Sequence, residues 1–331
     1  MQTVSERGRG LYRRRVSGCV LVFFAFVSVA FSLMSGPSVF GFQEFLFDES
    51  AQKILLYVRI PRMLCAFLVG FGLAVVGGIY QSLFKNYLAS PFTLGVSSGA
   101  ALTASIAIMS GLAAGGGALV GVWALVGAMI SVCCILLIHR IHVRRDSFTL
   151  LLVGVVFSFF CSSLMVLVQY VANYAELFQV TRWLMGSIGS PPWDVLLLGF
   201  FVVALTFVWG FRNARVLDLF LFGDDMATVK GVDVHRQTRI VFVISSMVVG
   251  WIVSQCGVIG FVGIVVPAIA RLLVGLPHRR VLPAAGLLGA ILVLVCDALG
   301  RVVIAPFEIP AGVFTSVIGG PMFIWLVIRG R

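Results

Sequence analysis

The sequence predicts an all-α, polytopic membrane protein with about ten transmembrane helices. Composition carries the first part of that prediction: 60% of the 331 residues are hydrophobic and only 11% are charged, against about 25% charged in an ordinary soluble domain. Mean hydropathy is +1.09. Patterning carries the second part. Apolar runs of about 20 residues, the length a helix needs to cross a hydrocarbon core of about 30 Å, recur along the whole chain.

The runs fall at 16–34, 64–84, 94–111, 118–138, 148–171, 195–211, 240–256, 258–275, 282–299 and 311–328. The first follows a basic segment, MQTVSERGRGLYRRR, residues 1–15. A signal peptide is the competing reading there, but the run is long and no clear small-x-small cleavage site follows it. Between the second and third runs lies KNYLASPFTLGVSSGAA, Lys85 to Ala101, where Asn86, Ser90 and Pro91 interrupt the apolar pattern. The sixth and seventh runs are separated by the longest polar insert, residues 211–239. The eighth and tenth contain Pro267 and Pro321, and GVIGFVGIVVP (257–267) reads either as a plain helix start or as a broken, re-entrant segment. Small residues in GFGLAVVGG (70–78) and GLLGA (286–290) permit close helix packing.

An even span number puts both termini on one face. With the termini inside, the cytoplasmic segments hold 18 basic residues, and the opposite face holds five: Lys53, Arg59, Arg62, Arg182 and Arg301. Lys and Arg near span ends are retained on the cytoplasmic side. This accounts for the formal charge of +11 without invoking nucleic acid. Arg271, near a span end, is assigned to neither face.

Reactive constellations are scarce. The seven cysteines lie inside or at the ends of apolar runs, without metal-site or disulfide spacing, and read as small hydrophobes. Only three lysines occur, none directly after a glycine as a phosphate-cradling loop requires. His139, His142, His235 and His278 lie in basic segments between spans, and three of them, beside arginines, read as solvated interfacial residues. Asp297 is the main carboxylate inside a span. Arg301, one helical turn later, is its expected partner. Ion-coupled transporters usually carry intramembrane acids or histidine relays, so the pattern favours a permease powered from outside the chain over a secondary transporter. A membrane enzyme would need a reactive constellation.

A partner supplying that energy needs a cytoplasmic dock. In FRNARVLDLFLFGDDMATVKGVDVHRQTR (211–239), Leu217, Phe220, Leu221 and Met226 fall near helical spacing, and Gly223 and Gly231 punctuate two short helices. Such a pair fits a partner's groove; a plain connecting loop on the membrane surface is the equal alternative.

Four ordered blocks carry a resemblance over essentially the whole chain. RIPRMLCAFLVGFGLAVVGGIYQSLFKNYLASPFTLGVSSGAA, FGDDMATVKGV, GVIGFVGIVVPAIARLLVGLPHRRVLP and CDALGRVVIAPFEIPAGVFTSVIGGPMFIWLV resemble the signature segments of FecCD-type permease subunits of type II ABC importers. That family carries ferric siderophores, heme and vitamin B12. The resemblance implies a single ten-helix permease domain, residues 16–331, with 211–239 as its ATPase-coupling segment. It also implies a bacterial or archaeal inner-membrane location and a second permease subunit, most simply a homodimer. Two ATP-binding cassette subunits dock below, carrying the ATP and Mg, and a periplasmic or lipoprotein substrate-binding protein docks above. No cofactor or metal site is expected in this chain.

The same resemblance implies residue roles. Arg59, Arg62 and Arg301 match the family's external arginines that meet the binding protein. Asn86 and Leu88 match the turn that forms the cytoplasmic gate, with Ser147 as a further partner. Gly95, Ser97, Ser98 and Gly99 give the next helix a small-faced start, which lets it approach its neighbours or leaves room for a bulky ligand. Gly223, Asp224, Asp225, Ala227 and Gly231 match the coupling segment. Two residues depart from the family pattern: Tyr87 replaces the usual proline of the turn, and Ala268 stands where many relatives have histidine. The expected cargo is a metal chelate, first a ferric siderophore, then heme or a corrinoid.

Overall fold

The computed structural model describes residues 20–35, 49–112, 117–141, 147–304 and 307–329. The basic segment 1–15 lies outside them. Thirteen helices and no strands occur among the described residues: α1 (Val20–Met34), α2 (Glu49–Leu83), α3 (Val96–Met109), α4 (Gly117–Ile141), α5 (Ser147–Val171), α6 (Tyr174–Leu184), α7 (Trp193–Arg212), α8 (Ala214–Phe220), α9 (Asp224–Val229), α10 (Val234–Cys256), α11 (Val262–Val274), α12 (His278–Val302) and α13 (Ala311–Arg329). Seven are long and apolar enough to cross a membrane, and α1, α3 and α11 are shorter apolar helices. Together these ten correspond in order to the ten predicted runs.

Two of the runs are shorter as helices than expected. Helix α3 has 14 residues and α11 has 13, about 20 Å each at 1.5 Å per residue. Residues 257–261 stay non-helical because Gly257 (φ +68°) and Phe261 (φ +64°) adopt left-handed backbone, so the eighth run takes the broken form. Irregular backbone at membrane depth must be satisfied by protein. Here Gly257 N donates to the Val253 carbonyl (3.0 Å), the Gly260 carbonyl accepts from Val262 N (2.8 Å), and that of Phe261 accepts from Val265 N (2.9 Å).

The core forms where small residues let backbones touch, because lipid removes the hydrophobic drive between helices and leaves packing to hold them. Helix α2 lies most extensively against α12 and also packs on α11, while α3 and α4 form a second closely packed pair. A Cβ on Gly70 would overlap the Gly289 carbonyl, and one on Gly77 would overlap that of Gly263. Pro267 has no N–H to offer Gly263 O one turn below, so that carbonyl is free to lie against Gly77. Helix α5 leaves most of its apolar face uncovered in this chain, and α7 and α13 leave much of theirs. Cys133 on α4 also faces outward, unlike buried Cys65, Cys161, Cys256 and Cys296.

Candidate functional site

The interruption between α2 and α3 is a folded loop built by its own side chains. After α2 ends, Lys85 turns the chain with φ +50°, and Asn86 Oδ1 accepts from Leu88 N at 2.9 Å, closing a local turn. Ser90 and Thr93 then bond reciprocally: Ser90 N donates to Thr93 Oγ1 (3.0 Å) and Thr93 N to Ser90 Oγ (3.2 Å). Gly95, at φ +86°, starts α3. The outcome is a tip, Tyr87 and Leu88, standing into the open, with Ala89, Ser90 and Leu94 buried beneath it. Asn86 is half-buried at its base.

The small residues after the tip serve close approach. Ser97 and Ser98 are buried, and a Cβ on Gly99 would overlap Ser131 Oγ of α4. Ser147 is also buried, at the first turn of α5. Ala268 is half-buried on α11.

The insert 211–239 forms two short helices, α8 and α9, with Gly223 (φ +119°) and Gly231 (φ +81°) at the predicted breaks. One expectation is corrected. Leu217 and Phe220 are fully buried against this chain, because α8 packs on α2 and α12. Phe222, Met226 and Val229 are the apolar side chains exposed there, beside exposed Asp225. Asp224 joins this segment to the start of the loop after α2 and to α5. One carboxylate oxygen pairs with Lys85 Nζ (2.8 Å) and the other accepts from Ser147 N (3.4 Å).

Helix α8 is held to α12 by Asp218, whose Oδ1 lies 2.6 Å from His278 Nδ1 and accepts from His278 N at 2.9 Å. Burial pushes this carboxyl up, but the bonds from the imidazole and the amide outweigh it and leave Asp218 below its ordinary value. His278 is completely buried, which corrects its reading as a solvated residue. The neighbouring arginines that suggested solvation, Arg279 and Arg280, are themselves exposed.

At the opposite end, α2 contains a π-helical turn, Leu55–Arg59, before Pro61, with Ile60 N bonding Leu55 O. This turn carries Arg59, which is 6% exposed and donates to the Leu33 carbonyl of α1 (2.9 Å). Arg301 is likewise 6% exposed. It pairs with Asp297 (3.1 Å), as the i,i+4 spacing predicts, and donates to the Ser32 and Ser35 carbonyls (3.0 and 2.6 Å). Both arginines thus lie on the predicted end of the bundle but beneath α1, which covers them. Arg62 is the most open of the three, bridging Asp297 and Glu308 at 3.0 Å each. Glu308 had no signal in the sequence as an ion-pair partner. Between the two ends, Phe92 of the loop, Val258, Phe261 and Val317 line an apolar cavity of about 430 Å³.

The model of the FecCD transport family matches residues 19–329. The hemin transport system permease protein HmuU of Yersinia pestis is 38% identical over 287 residues, covering 86% of each chain. The vitamin B12 import system permease protein BtuC of Yersinia pestis is 33% identical over 323 residues, 96% of this chain and 93% of that one. Among solved structures, an inward-facing conformation of a metal-chelate type ABC transporter superposes with a TM-score of 0.83 at 28% identity, covering 96% and 99% of the two chains.

Proposed function

The chain belongs to the FecCD transport family and is a non-catalytic permease subunit of a type II ABC importer, and from that premise we propose that it carries a preformed metal chelate inward. A ferric siderophore is the first reading. Hemin is the second, favoured by the 38% identical hemin permease; a corrinoid follows. Two copies of the chain, in the cytoplasmic membrane with both termini inside, enclose the pathway between them. Two ATPase subunits dock on the face carrying α8 and α9, and a substrate-binding protein docks on the face carrying Arg59, Arg62 and Arg301.

One observation carries this reading furthest: Asp224 of the coupling segment touches both Lys85, beside Asn86 at the gate turn, and Ser147 at the start of α5. A rigid-body push on α9 therefore has a short route to the two elements assigned to the gate. Leu88, standing half-exposed at the tip, supplies the apolar stopper, and Asn86 and Ser147 its polar base. Phe222, Met226 and Val229 form the apolar patch that enters the ATPase groove, with Asp225 at its edge. Of the external arginines, Arg62 is the least covered, 17% exposed, and a carboxylate on the binding protein reaches it by displacing the half-exposed Glu308. Arg59 and Arg301 act from beneath as fixed positive charge, which steers a partner more than it holds one.

The test is uptake by the complex, reconstituted with its ATPase and binding protein, against ferric siderophores, hemin, cobalamin and molybdate. ATP-dependent uptake of one chelate is the expected result and names the cargo. Uptake driven by an ion gradient without ATP would overturn the proposal.

A further inference from the structure

Four buried polar side chains beneath the gate turn have no part in the contacts above: Ser82, Gln81, Arg271 and the far side of His278. They form one connected series. His278 Nε2 contacts Ser82 Oγ. Ser82 Oγ accepts from Arg271 Nη2 at 3.5 Å. Arg271 Nη1 donates to Gln81 Oε1, and Gln81 Nε2 donates to the carbonyl of Tyr87, the loop tip, at 2.9 Å. The Arg271 guanidinium also lies 5.7 Å from the centre of the Tyr87 ring, within cation–π range. Asp218 on α8 anchors the other end.

The cost of this arrangement argues against a packing role alone. His278 and Ser82 are fully buried, Gln81 is 2% exposed and Arg271 is 7% exposed. Among the described residues no carboxylate lies within 4.0 Å of Arg271, and its Nε has no hydrogen-bond partner. A charge buried against neutral acceptors is expensive, and an ionisable group at such a position is by default functional. The Ser–His–Asp order is that of a hydrolase triad, but Ser82 is enclosed on all sides and its hydroxyl lies 3.0 Å from the Gly78 carbonyl, so it meets no substrate.

We propose that the series Asp218, His278, Ser82, Arg271, Gln81 is a positioning chain that transmits displacement of the coupling segment to the gate turn, ending on Tyr87. It rests on the permease reading and adds a second route, through residues other than those of the Asp224–Lys85 contact. It also gives Tyr87 a purpose. A proline at that place would fix φ by its ring; here the turn is fixed from below, by Gln81 on its carbonyl and Arg271 on its ring, so that its position follows α8.

Pathway claims need a measured coupling, and a double-mutant cycle supplies it. Asp218→Asn, Gln81→Leu and the double variant are reconstituted with the ATPase and binding protein, and chelate transported per ATP hydrolysed is measured. The expected result is a ratio lowered about 5-fold by each single change, with hydrolysis itself within about 2-fold, and a double variant no worse than the poorer single. Ser82→Ala, which removes one hydroxyl from the middle of the series, replaces Asp218→Asn if that variant does not assemble. Tyr87→Phe keeps the ring and is expected to keep the ratio. Wild type that transports beside singles with unchanged ratio, or single effects that multiply independently, overturns the chain alone. A wild-type complex without ATP-dependent uptake overturns the permease reading and the chain with it.

Discussion

Replacing Asp297 by asparagine removes one negative charge from between two guanidinium groups without opening a cavity. The wild-type carboxylate is 2% exposed and receives Arg62 through Nε and Nη2 (3.2 and 3.0 Å) and Arg301 at 3.1 Å. Removing one partner of a buried ion pair costs about 3–5 kcal/mol, because the remaining charge is left uncompensated. Both arginines keep other acceptors, Arg301 the Ser32 and Ser35 carbonyls and Arg62 the Glu308 carboxylate, which places the cost near the lower bound, ~3 kcal/mol. With an unfolding entropy of about 2.1 cal/mol/K per residue over 331 residues, the midpoint falls by about 4 °C. Thermal unfolding of the purified chain in detergent, followed by tryptophan fluorescence, measures this. The control is Glu308→Gln, whose carboxylate is 50% exposed and whose pair is worth under about 1 kcal/mol. If Asp297→Asn shifts the midpoint no more than Glu308→Gln does, the buried cluster is not what fixes α2 to α12 at this end.

Three further outcomes follow from the same structure. Reversing the Lys85–Asp224 pair singly, as Lys85→Asp or Asp224→Lys, uncouples ATP hydrolysis from uptake with little change in unfolding midpoint, since the groups are 37% and 23% exposed; the double swap restores coupling, and a double variant as uncoupled as the singles would disprove the direct contact. Gly70→Ala drives a methyl into the Gly289 carbonyl and destabilises by at least about 1–3 kcal/mol, whereas Gly320→Ala, with open space around it, leaves the midpoint unchanged or raised; equal midpoints would refute the crossing. Asp218 has its folded value lowered, so its contribution is complete above the ordinary carboxylate value of about 3.9 and is lost as pH falls through the lower folded value. Pepsin cleavage within 214–231 should therefore rise only below about pH 4, and cleavage already rising at about pH 5 would contradict that assignment.

Much of this protein was legible in one dimension because lipid allows so few solutions. A spanning segment must satisfy its own backbone, so run length alone predicts helices, and all ten predicted runs appear as apolar helices. The i,i+4 spacing of Asp297 and Arg301 predicted their pair, and Gly223 and Gly231 predicted the two breaks around α9. What the sequence could not show was which side of each element is covered. Leu217 and Phe220 have the spacing of a docking face, yet they turn inward because α8 lies on α2 and α12. Arg59 and Arg301 look like external charges, yet α1 closes over them. His278 is flanked by two arginines and is buried all the same, because Asp218, sixty residues earlier, reaches the first turn of its helix. Hydropathy and local spacing determined the helices and their order, and four signature blocks carried the resemblance to the family; long-range packing between α2, α8, α11 and α12 decided which polar groups meet, because those contacts join residues up to 235 positions apart that no local pattern relates.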